Sequence, residues 1–489
     1  MRHVVFRLDG GEAIGTGHVM RCLALAKGID AAKITFICSA DSKSLEKVII
    51  AGGAEIKYIT DSHSDAEDTI KIIDQLEKPD WLIVDHYSLE AIWESKVRPF
   101  VNNIMVIDDL ANRTHDCDIL LDQNYYADAK QRYDNLLKNN CTQLLGPSYA
   151  LLREEFSNAT KCTIKEEVKN ILISFGGSDA DDFTGKILNL LAAEEYKNIS
   201  INVVMGAAST HKEAIEQISK QHENINFHCQ IDYMAKLMSE ADVFIGAGGS
   251  TSWERLALGL PAIIIAIADN QIELCENLAK ANLIEYIGTS DDFTPELFKE
   301  ILAKISMDFK WRQLASGNGK KIVDGRGVKK VAAYLKSFAI ELLPAEEEHC
   351  EDVYKWRTAP ENLEFSHNNN EFTLDSHEKW YKKIITSDDS DLLIAYKEDA
   401  PLGVVRFDYS DDRALISLYL VPGMHGKGWG FPLLLAANNW VVNNKPDVKE
   451  IKAEVIKKNI ASKIIFFDAG YAQEDDLKEV ILLVKVIDR

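Results

Sequence analysis

The sequence alternates short apolar runs, rich in β-branched residues, with stretches of helical periodicity, and this alternation constrains the fold most strongly. Short continuous apolar runs are typical of strands buried on both faces of a parallel sheet. Within the first 155 residues we predict five such strands, at residues 3–8, 34–38, 81–85, 104–108 and 119–121. The fold class predicted for this part is a doubly wound α/β domain.

The same pattern starts again after a charged segment at residues 160–169 and continues in the runs 171–182, 201–207, 224–229, 241–259 and 262–271. It predicts a second α/β lobe, and two such lobes facing each other form a cleft suited to a nucleotide-linked ligand. After residue 338 we predict a strand at 340–343, a helix at 346–356 and three further strands. The predicted domains are therefore two lobes, 1–157 and 158–338, followed by a smaller α+β domain, 339–489.

Composition narrows the classes of partner. The 489 residues carry a net charge of −22, which argues against binding to nucleic acid or to an anionic membrane surface. Eight cysteines are scattered singly, without zinc spacing, and the N-terminus enters a strand without a leader pattern. We therefore expect a cytoplasmic protein with reduced thiols, no metal site, and small molecules as its partners.

A strand, a glycine loop and a helix start follow one another in residues 7–26. Glycine lets backbone N–H groups at a helix N-terminus approach an anion closely. His18 lies in the first turn of the predicted helix, and Arg21 lies three residues later on the same face. The spacing alone fits a catalytic histidine and a helix-capping histidine about equally well, and it is not the dinucleotide-binding fingerprint.

A second glycine loop, at residues 246–249, precedes Thr251-Ser252-Trp253-Glu254. This pattern predicts a capping box, with Thr251 as the N-cap and Glu254 at the third helical position. The same loop would present the positive end of a helix to a diphosphate.

Seven stretches in order resemble one enzyme family: residues 7–26, VDHY (84–87), IDDLANR (107–113), GPSYALLREEF (146–156), SFGGSD (174–179), GAGGSTSWERLALGLP (246–261) and ADNQ (268–271). The family is the UDP-sugar hydrolase of pseudaminic acid biosynthesis, which cleaves UDP-2,4-diacetamido-2,4,6-trideoxy-β-L-altropyranose to UDP and the free sugar. The resemblance covers roughly residues 1–335. It implies the two-lobed GT-B fold and kinship with the peptidoglycan N-acetylglucosaminyltransferase.

The resemblance also implies roles for individual residues. UDP would bind mainly to the second lobe, with Glu254 at the ribose, and the sugar would lie toward the first lobe. His18 would be the catalytic base that activates water, with inversion at the anomeric carbon, without a metal and without a carboxylate pair of the glycosidase type. The implied substrate-binding residues are Arg7, Asp9, Gly17, Arg21, Tyr87, Gly176, Gly249, Ser250, Thr251, Glu254, Asn270 and Gln271.

Residues 416–441 combine a strand, a glycine loop and a helix, and they resemble motif A of the GNAT acyltransferases. In that family the loop N–H groups hold the pyrophosphate of acetyl-CoA, which would be the cosubstrate here. His425 stands where the motif usually has Gln or Arg, and Phe466 stands where many members have a tyrosine that protonates the leaving thiolate. The implied acetyl-CoA-binding residues are Leu420, Val421, His425, Gly426, Lys427, Gly428, Gly430 and Asn459.

Residues 355–381 resemble the acceptor side of GNAT domains from nonulosonic acid pathways, with matches at Trp356, Arg357, Ser366, His377 and Trp380. Core packing explains the two tryptophans equally well, whereas Arg357 and His377 are expected to face a ligand. The acceptor implied is the 4-amino group of a UDP-linked 4-amino-4,6-dideoxy sugar, so the chain would be bifunctional. The alternatives are a GT-B glycosyltransferase that uses a UDP-sugar donor, the same two steps on a related diamino sugar, or an inactive sensor of nucleotide sugars.

Overall fold

The computed structural model describes residues 1–11, 16–31, 33–60, 64–138, 140–176, 179–206, 209–365 and 373–487. Its first lobe contains the strands β1 (His3–Leu8), β2 (Lys33–Cys38), β3 (Glu55–Tyr58), β4 (Trp81–Asp85), β5 (Asn103–Ile107), β6 (Ile119–Asp122) and β7 (Thr142–Leu145). They form one parallel sheet in the order β3-β2-β1-β4-β5-β6-β7. Because the strand order reverses between β1 and β4, a crevice opens beyond the carboxyl ends of these two strands.

Helices cover this sheet and connect its strands. They are α1 (Gly17–Gly28), α2 (Glu46–Ala51), α3 (Asp65–Ile73), α4 (Ala91–Val97) and α5 (Glu154–Asn158), with 3-10 helices at Ala40–Leu45, Arg98–Phe100 and Pro147–Tyr149. Every residue of β1 and β4 is buried, as expected for central strands of a parallel sheet. The polar residues that follow these strands therefore lie at the edge of the crevice.

The second lobe repeats the architecture with the strands β8 (Asn170–Ser174), β9 (Ser200–Met205), β10 (Ile225–Cys229), β11 (Val243–Ala247), β12 (Ala262–Ala266) and β13 (Glu285–Thr289). All are parallel, in the order β10-β9-β8-β11-β12-β13. Here the order reverses between β8 and β11, so the loops after these strands lie beside the second crevice. The glycine loop at 246–249 is one of them.

The helices of the second lobe include one that returns to the first. They are α6 (Phe183–Leu191), α7 (Lys212–Gln221), α8 (Met234–Glu240), α9 (Thr251–Leu258), α10 (Ile272–Lys280), α11 (Pro295–Met307), α12 (Phe309–Ile322) and α13 (Gly327–Ser337), with 3-10 helices at Glu194–Tyr196, Asp269–Gln271 and Ser290–Asp292. A Cβ on Gly28, at the end of α1, would lie 2.1 Å from Val328 Cγ1, so α13 packs closely against the first lobe. Ala150, Leu152 and Phe156 in turn belong to the core of the second lobe. The two lobes therefore exchange segments.

The remaining residues form a mixed sheet with the strands β14 (Ile340–Pro344), β15 (Ser390–Lys397), β16 (Ala400–Ser410), β17 (Arg413–Leu420), β18 (Glu450–Ile456), β19 (Ala472–Asp476) and β20 (Val480–Val486). Its order is β14-β15-β16-β17-β18-β20-β19, antiparallel except for β17 and β18. The helices are α14 (Cys350–Arg357), α15 (Pro360–Leu363), α16 (Leu374–Ile384), α17 (Gly430–Asn444) and α18 (Ile460–Asp468), with a 3-10 helix at Glu347–His349. The chain divides into two compact units, Met1–Val331 and Ala332–Arg489.

The predicted α/β fold class is confirmed for both lobes. The strands predicted near residues 3–8, 81–85, 119–121 and 340–343 lie within a residue of the observed bounds. Six strands, β3, β7, β13, β18, β19 and β20, escaped the sequence analysis. The proposed domain limits at 157 and 338 stay a prediction.

Candidate active sites

A buried hydrogen-bonded cluster lies at the switch point of the first lobe. Asp85, the last residue of β4, is 1% exposed and accepts a hydrogen bond from His18 Nδ1 at 2.6 Å. Arg21 donates to both oxygens of the same carboxylate, from Nε at 2.6 Å and from Nη2 at 2.5 Å. The structure therefore brings together the predicted His18 and Arg21 through Asp85, a residue that the sequence analysis named only as part of the VDHY stretch.

The ionisation state of Asp85 is determined by its two neighbours, Arg21 and His18. Burial opposes ionisation of Asp85, but the charges and hydrogen bonds of Arg21 and His18 outweigh it, so the pKa of Asp85 lies well below its usual range. An ionised Asp85 can only accept hydrogen bonds, so Nδ1 of His18 carries the hydrogen of that contact. Among the described residues Nε2 of His18 has no hydrogen-bond partner, which leaves this nitrogen available to a ligand or a water molecule.

Tyr87 and Asn270 meet beside this histidine. The Tyr87 ring packs edge-on against the imidazole, with the ring centroids 4.7 Å apart. Tyr87 also shares a side-chain hydrogen bond with Asn270 of the second lobe, while burial and the Asp109 carboxylate raise the pKa of Tyr87 to about 12. The cleft wall near His18 thus contains a neutral phenol from one lobe and an amide from the other.

Arg7 and Asp9 were expected to bind substrate, and the structure differs for Arg7. Its guanidinium is 1% exposed and is held between Asp9, at 2.8 Å, and Asp65. Asp9 also accepts from the Ser39 backbone N–H at 2.6 Å and pairs with His86 at 3.1 Å. Because neighbouring carboxylates accept the hydrogen bonds of its guanidinium, Arg7 stabilises the end of β1 and does not face the cleft. Gly17 is exposed at the start of α1 with open space around it.

The glycine loop of the second lobe leads directly into α9. The helix begins at Thr251 after Ser250 as N-cap, and neither side chain caps it, so the predicted Thr251/Glu254 capping box is wrong. The capping box does not form because the Glu254 carboxylate accepts hydrogen bonds from Arg153 instead. Within the described residues the backbone N–H groups of Gly249, Ser250 and Thr251 have no protein acceptor, so three donors at the positive end of a helix remain open.

Gln271 holds this loop in place. Its Oε1 accepts hydrogen bonds from the backbone N–H of Gly248 at 3.2 Å and from that of Ile267 at 3.1 Å. Gly249 is open, because a Cβ there would touch only the far end of Gln271 at 3.9 Å. Gly176 has φ +86 and lies exposed after β8, while its neighbours 177 and 178 are outside the described residues. The predicted glycine loops thus lie at the switch point, and Gln271 serves as an anchor of one of them.

Glu254 is held by an arginine from the segment that connects the lobes. Arg153 donates to Glu254 Oε1 from Nη2 at 3.1 Å and from Nε at 3.4 Å, and its Nη1 pairs with Glu155 at 2.6 Å. Burial raises the pKa of Glu254, and the Arg153 charge opposes that rise. Oε2 of Glu254 keeps its accepting capacity for a ligand.

A cavity of about 720 Å³ lies in the C-terminal unit. It exists because β17 and β18 pair only from Arg413 with Glu450 to Ile416 with Ala453, after which the two strands separate. The separated ends, 417–420 and 454–456, line the cavity together with the glycine loop before α17. Gly426 and Gly428 have φ +73 and +76, and no acceptor for the backbone N–H groups of Gly426, Lys427 and Gly428 occurs in the described chain.

Most residues predicted for acetyl-CoA lie at this cavity. Leu420, His425, Gly426, Gly428, Gly430 and Asn459 line it, whereas Val421 and Lys427 do not. Asn459 caps α18 by accepting from the Ser462 backbone N–H at 3.0 Å. Phe466 also lines the cavity and is 6% exposed, so an apolar ring occupies the position at which many members of the family have a tyrosine.

The acceptor-side predictions divide into two groups. Arg357 and Trp380 line the cavity, with the guanidinium 4.7 Å from the centre of the indole ring. His377, expected to face a ligand, is 2% exposed, and its Nε2 contacts the Cys350 carbonyl at 3.2 Å. Its ring packs among aromatic neighbours because its position on α16 faces the core. Trp356 also packs against that core, and Ser366 lies outside the described residues.

The described residues contain neither a cluster of metal ligands nor a membrane-spanning helix. No group of three or more His, Cys, Asp or Glu side chains there is arranged to hold a metal ion. No helix there has both the length and the apolarity needed to cross a bilayer. All eight cysteines are free thiols.

Comparisons with known proteins bear on this geometry. Residues 170–321 match the glycosyltransferase family 28 C-terminal domain, and residues 340–472 match the acetyltransferase (GNAT) domain. The UDP-2,4-diacetamido-2,4,6-trideoxy-β-L-altropyranose hydrolase of Campylobacter jejuni is 31% identical over 284 residues, which are 58% of this chain and 98% of that protein. The chain belongs to this hydrolase family. It adds a GNAT domain after the part shared with the family.

Further relatives agree on the extent of the shared part. The spore coat polysaccharide biosynthesis protein SpsG of Bacillus subtilis is 26% identical, over 68% of this chain and 98% of SpsG. An uncharacterized protein of Methanocaldococcus jannaschii is 29% identical over 56% of this chain, which spans only 57% of that relative. The crystal structure of MurG from Acinetobacter baumannii superposes with a TM-score of 0.50 at 15% identity, covering 69% of this chain and 99% of MurG. The hydrolase-family part thus has the GT-B fold.

Sequence reasoning missed three residues that the geometry singles out. Asp85 joins His18 to Arg21, Arg153 holds Glu254, and Arg406 lines the GNAT cavity. The first two lie within stretches that resemble the hydrolase family, VDHY and GPSYALLREEF. The signal was therefore present, but the pairing joins residues separated by 67 and 101 positions, which spacing alone does not reveal.

Proposed function

We propose that the chain is a bifunctional nucleotide-sugar enzyme. The N-terminal part hydrolyses UDP-2,4-diacetamido-2,4,6-trideoxy-β-L-altropyranose to UDP and the free sugar. The GNAT domain acetylates the 4-amino group of the preceding UDP-4-amino-4,6-dideoxy sugar with acetyl-CoA, in pseudaminic acid biosynthesis in the cytoplasm. In this proposal residues 1–157 carry the catalytic histidine, residues 158–338 bind UDP, and residues 339–489 carry the acetyltransferase.

The contact between His18 Nδ1 and Asp85, at 2.6 Å, carries the hydrolase proposal. An ionised, buried carboxylate fixes the tautomer of the imidazole and stabilises the imidazolium that forms when Nε2 takes a proton. Arg21 holds the same carboxylate through two hydrogen bonds, which keeps Asp85 in position. Asp85 and Arg21 are thus positioning residues, and His18 is the proposed catalytic residue.

The reaction follows from this arrangement. The oxygen of a water molecule attacks the anomeric carbon while His18 Nε2 accepts the proton of that water. The bond from the anomeric carbon to the phosphate oxygen breaks, and UDP leaves with the electron pair. Water attacks opposite the leaving group, so the configuration at the anomeric carbon inverts. Tyr87 and Asn270 line the sugar side of the cleft.

UDP is a good leaving group when its developing charge is stabilised. The open N–H groups of Gly249, Ser250 and Thr251 at the start of α9 supply that stabilisation in our proposal. Glu254 accepts the ribose hydroxyl groups through Oε2. In this proposal no acid is needed to protonate the leaving group.

The acetyltransferase proposal rests on the GNAT match and on the charge of the cavity. Two arginines, Arg357 and Arg406, line it together with the carboxylates of Glu361 and Glu454. Nε of Arg406 is buried without a hydrogen-bond partner in the described part of the chain, and its Nη2 pairs with Asp408 at 2.9 Å. Such cations favour an acceptor with phosphate groups, as in a UDP-linked amino sugar, over a polyamine acceptor.

One assay separates hydrolysis from glycosyl transfer. The purified chain is incubated with the UDP-diacetamido sugar without any acceptor, and UDP release is followed. We expect release in the wild type and loss of at least about 10²-fold in His18→Ala, as for removal of a general base. Strict dependence on an added acceptor would instead identify a GT-B glycosyltransferase.

A further inference from the structure

The side-chain amide of Gln271 has a fixed orientation. Gln271 ends the 3-10 helix Asp269–Gln271 and is only partly buried. Its Oε1 accepts two hydrogen bonds, from the backbone N–H of Gly248 at 3.2 Å and from that of Ile267 at 3.1 Å. Both partners can only donate, so the atom that faces them is the oxygen of the amide. The NH₂ group of Gln271 therefore points away from these two donors.

This NH₂ group faces the glycine loop of the second lobe. A Cβ built on Gly249 would lie 3.9 Å from Gln271 Nε2. No acceptor for Nε2 occurs in the part of the chain that the structure describes. The open backbone N–H groups of Gly249, Ser250 and Thr251 are thus accompanied by a side chain whose two N–H groups are open as well.

The residue before Gln271 faces the sugar side of the cleft. Asn270 shares a side-chain hydrogen bond with Tyr87, whose ring packs against the imidazole of His18. Two consecutive residues are therefore directed at the two halves of the proposed substrate, Asn270 at the sugar and Gln271 at the diphosphate. The bond that breaks joins these halves through an oxygen of the β-phosphate. The β-phosphate is thus the group that a donor between the two sites would reach.

We propose that Gln271 Nε2 donates a hydrogen bond to the β-phosphate and stabilises the charge that develops there as UDP leaves. This inference rests on the proposed hydrolysis, and it assigns Gln271 to the leaving group instead of the sugar. When the bond from the anomeric carbon to the β-phosphate oxygen breaks, the electron pair stays on that oxygen, and Gln271 keeps its proton. A hydrogen bond that strengthens as charge accumulates on the leaving group raises kcat.

The variant Q271E separates the donor of Gln271 from its acceptor. One carboxylate oxygen can still accept from Gly248 and Ile267, but the NH₂ group is replaced by an oxygen that cannot donate. The matched control is N277D, which makes the same change of amide to carboxylate on α10. Asn277 donates from Nδ2 to the backbone carbonyl of Glu273, on the same helix, at 2.9 Å. N277D thus adds the same charge without removing a donor from the glycine loop.

The first measurement compares UDP with UMP, which lacks the β-phosphate, by calorimetry on the full-length protein. We expect Q271E to lose about ten- to a hundredfold in affinity for UDP, the range for one hydrogen bond to a charged group, and to bind UMP as the wild type does. N277D should bind both nucleotides as the wild type does. Equal losses for UDP and UMP would show that Gln271 only holds the loop. Unchanged affinities for both would exclude a contact with the β-phosphate, so either result overturns the proposal.

The second measurement follows UDP release from the UDP-diacetamido sugar. In Q271E kcat should fall about 10²-fold, as when one donor to a developing charge is removed, whereas N277D should keep the wild-type kcat. The KM should rise less than the dissociation constant of UDP, because the β-phosphate carries less charge in the UDP-sugar than in free UDP. A raised KM with an unchanged kcat would instead indicate a contact with the sugar and would refute the proposed role.

The two measurements also separate this inference from the proposed function. If the wild type binds UDP but releases none from the UDP-sugar, the proposed hydrolysis is refuted, and the affinities for UDP and UMP still decide whether Gln271 contacts the β-phosphate. If the wild type does not bind UDP, the proposed UDP site and this contact are both refuted.

Discussion

Asp85 is the residue on which the proposed hydrolase site depends, because it holds both His18 and Arg21 from a fully buried position. Asp85→Asn keeps the shape but replaces one oxygen by an NH₂ group, which would face the donors of Arg21 or His18. We expect kcat for UDP release to fall about 10²- to 10⁴-fold, as when the partner that orients a catalytic histidine is lost. The dissociation constant of UDP should change little, because in our proposal UDP binds to the other lobe.

Cys22 provides the control for this variant. Its Sγ lies 3.4 Å from Asp85 Oδ2, so Cys22→Ala removes a neighbour of the carboxylate without removing its charge. We expect this variant to keep most of the hydrolase activity. A comparable loss in Cys22→Ala and Asp85→Asn would mean that the region responds to packing rather than to the orientation of His18.

Arg153 determines the ionisation of Glu254. Burial already raises the pKa of Glu254, and removal of the opposing charge in Arg153→Met should raise that pKa further. As the pH falls, more of the Glu254 carboxyl is then protonated and accepts fewer hydrogen bonds from the ribose. UDP affinity of this variant should therefore fall with falling pH more steeply than that of the wild type.

The measurement compares UDP with 2′,3′-dideoxy-UDP, since both carry the same titrating phosphates. The ratio of their affinities should lose its pH dependence in Glu254→Gln and should approach the wild-type profile in Arg153→Lys. If the ratio in Arg153→Met stays constant with pH, Arg153 supports the fold and not the carboxylate.

The residue-level predictions that held are those that local geometry dictates. His18 and Arg21 were placed on one face of a helix by their spacing of three, and both reach the same carboxylate. His377 was expected to face a ligand but is buried, because the spacing of residues along α16 does not show which side of the helix faces the core. The capping box also failed, since a partner 101 residues away holds Glu254. A local sequence pattern shows which side chains can meet within one helical turn. Which of the possible contacts forms also depends on residues that are distant in the sequence.

At the level of elements, the strands found from sequence are those with long buried runs. Four of the strands that escaped, β3, β7, β13 and β19, lie at sheet edges, whereas β18 and β20 lie inside the third sheet. In β3 the sequence EIKY alternates between exposed and half-buried residues, so it lacks the continuous apolar run of a central strand. Position in the sheet, which depends on the rest of the fold, therefore limited the prediction of elements.

Two glycines near the start of α17, Gly428 and Gly430, are expected to respond differently to substitution. Gly428 has φ +76, whereas Gly430 begins the helix, and a Cβ there would meet only Ile465 Cδ1 at 3.7 Å. Gly428→Ala should lower the free energy of unfolding by about 1 kcal/mol because an L-residue is strained at positive φ. Gly430→Ala should raise it by about 0.5 kcal/mol through helix propensity.

Denaturant titration of the full-length variants checks the two signs, in the transition that acetyl-CoA moves in the wild type. Both side chains project at the surface where the pyrophosphate is expected, so both variants should lose affinity for acetyl-CoA. Equal losses of stability would show that strain at positive φ does not distinguish the two positions.

For the whole molecule, the notable feature is that a strongly acidic chain offers hydrogen-bond donors for anionic ligands at both proposed sites. The first site has open backbone N–H groups at a helix start, and the second has a glycine loop and two arginines beside the carboxylates of Glu361 and Glu454. The net charge argued against a phosphate-rich macromolecule as a partner, but it gave no information on the sign of a pocket. Small anionic ligands are compatible with both facts.

The two proposed activities should be separable within the intact chain. His18→Ala removes the proposed base of the hydrolase, and Gly428→Val places a β-branched residue at positive φ in the loop proposed for acetyl-CoA. Given the 4-amino UDP-sugar and acetyl-CoA, the wild type should produce UDP and the free diacetamido sugar, as followed by mass spectrometry. His18→Ala should stop at the acetylated UDP-sugar, while Gly428→Val should leave the 4-amino UDP-sugar unacetylated yet still release UDP when the diacetamido UDP-sugar is supplied directly. Loss of both steps in either variant would contradict two independent sites, because each substitution lies in a different compact unit of the chain.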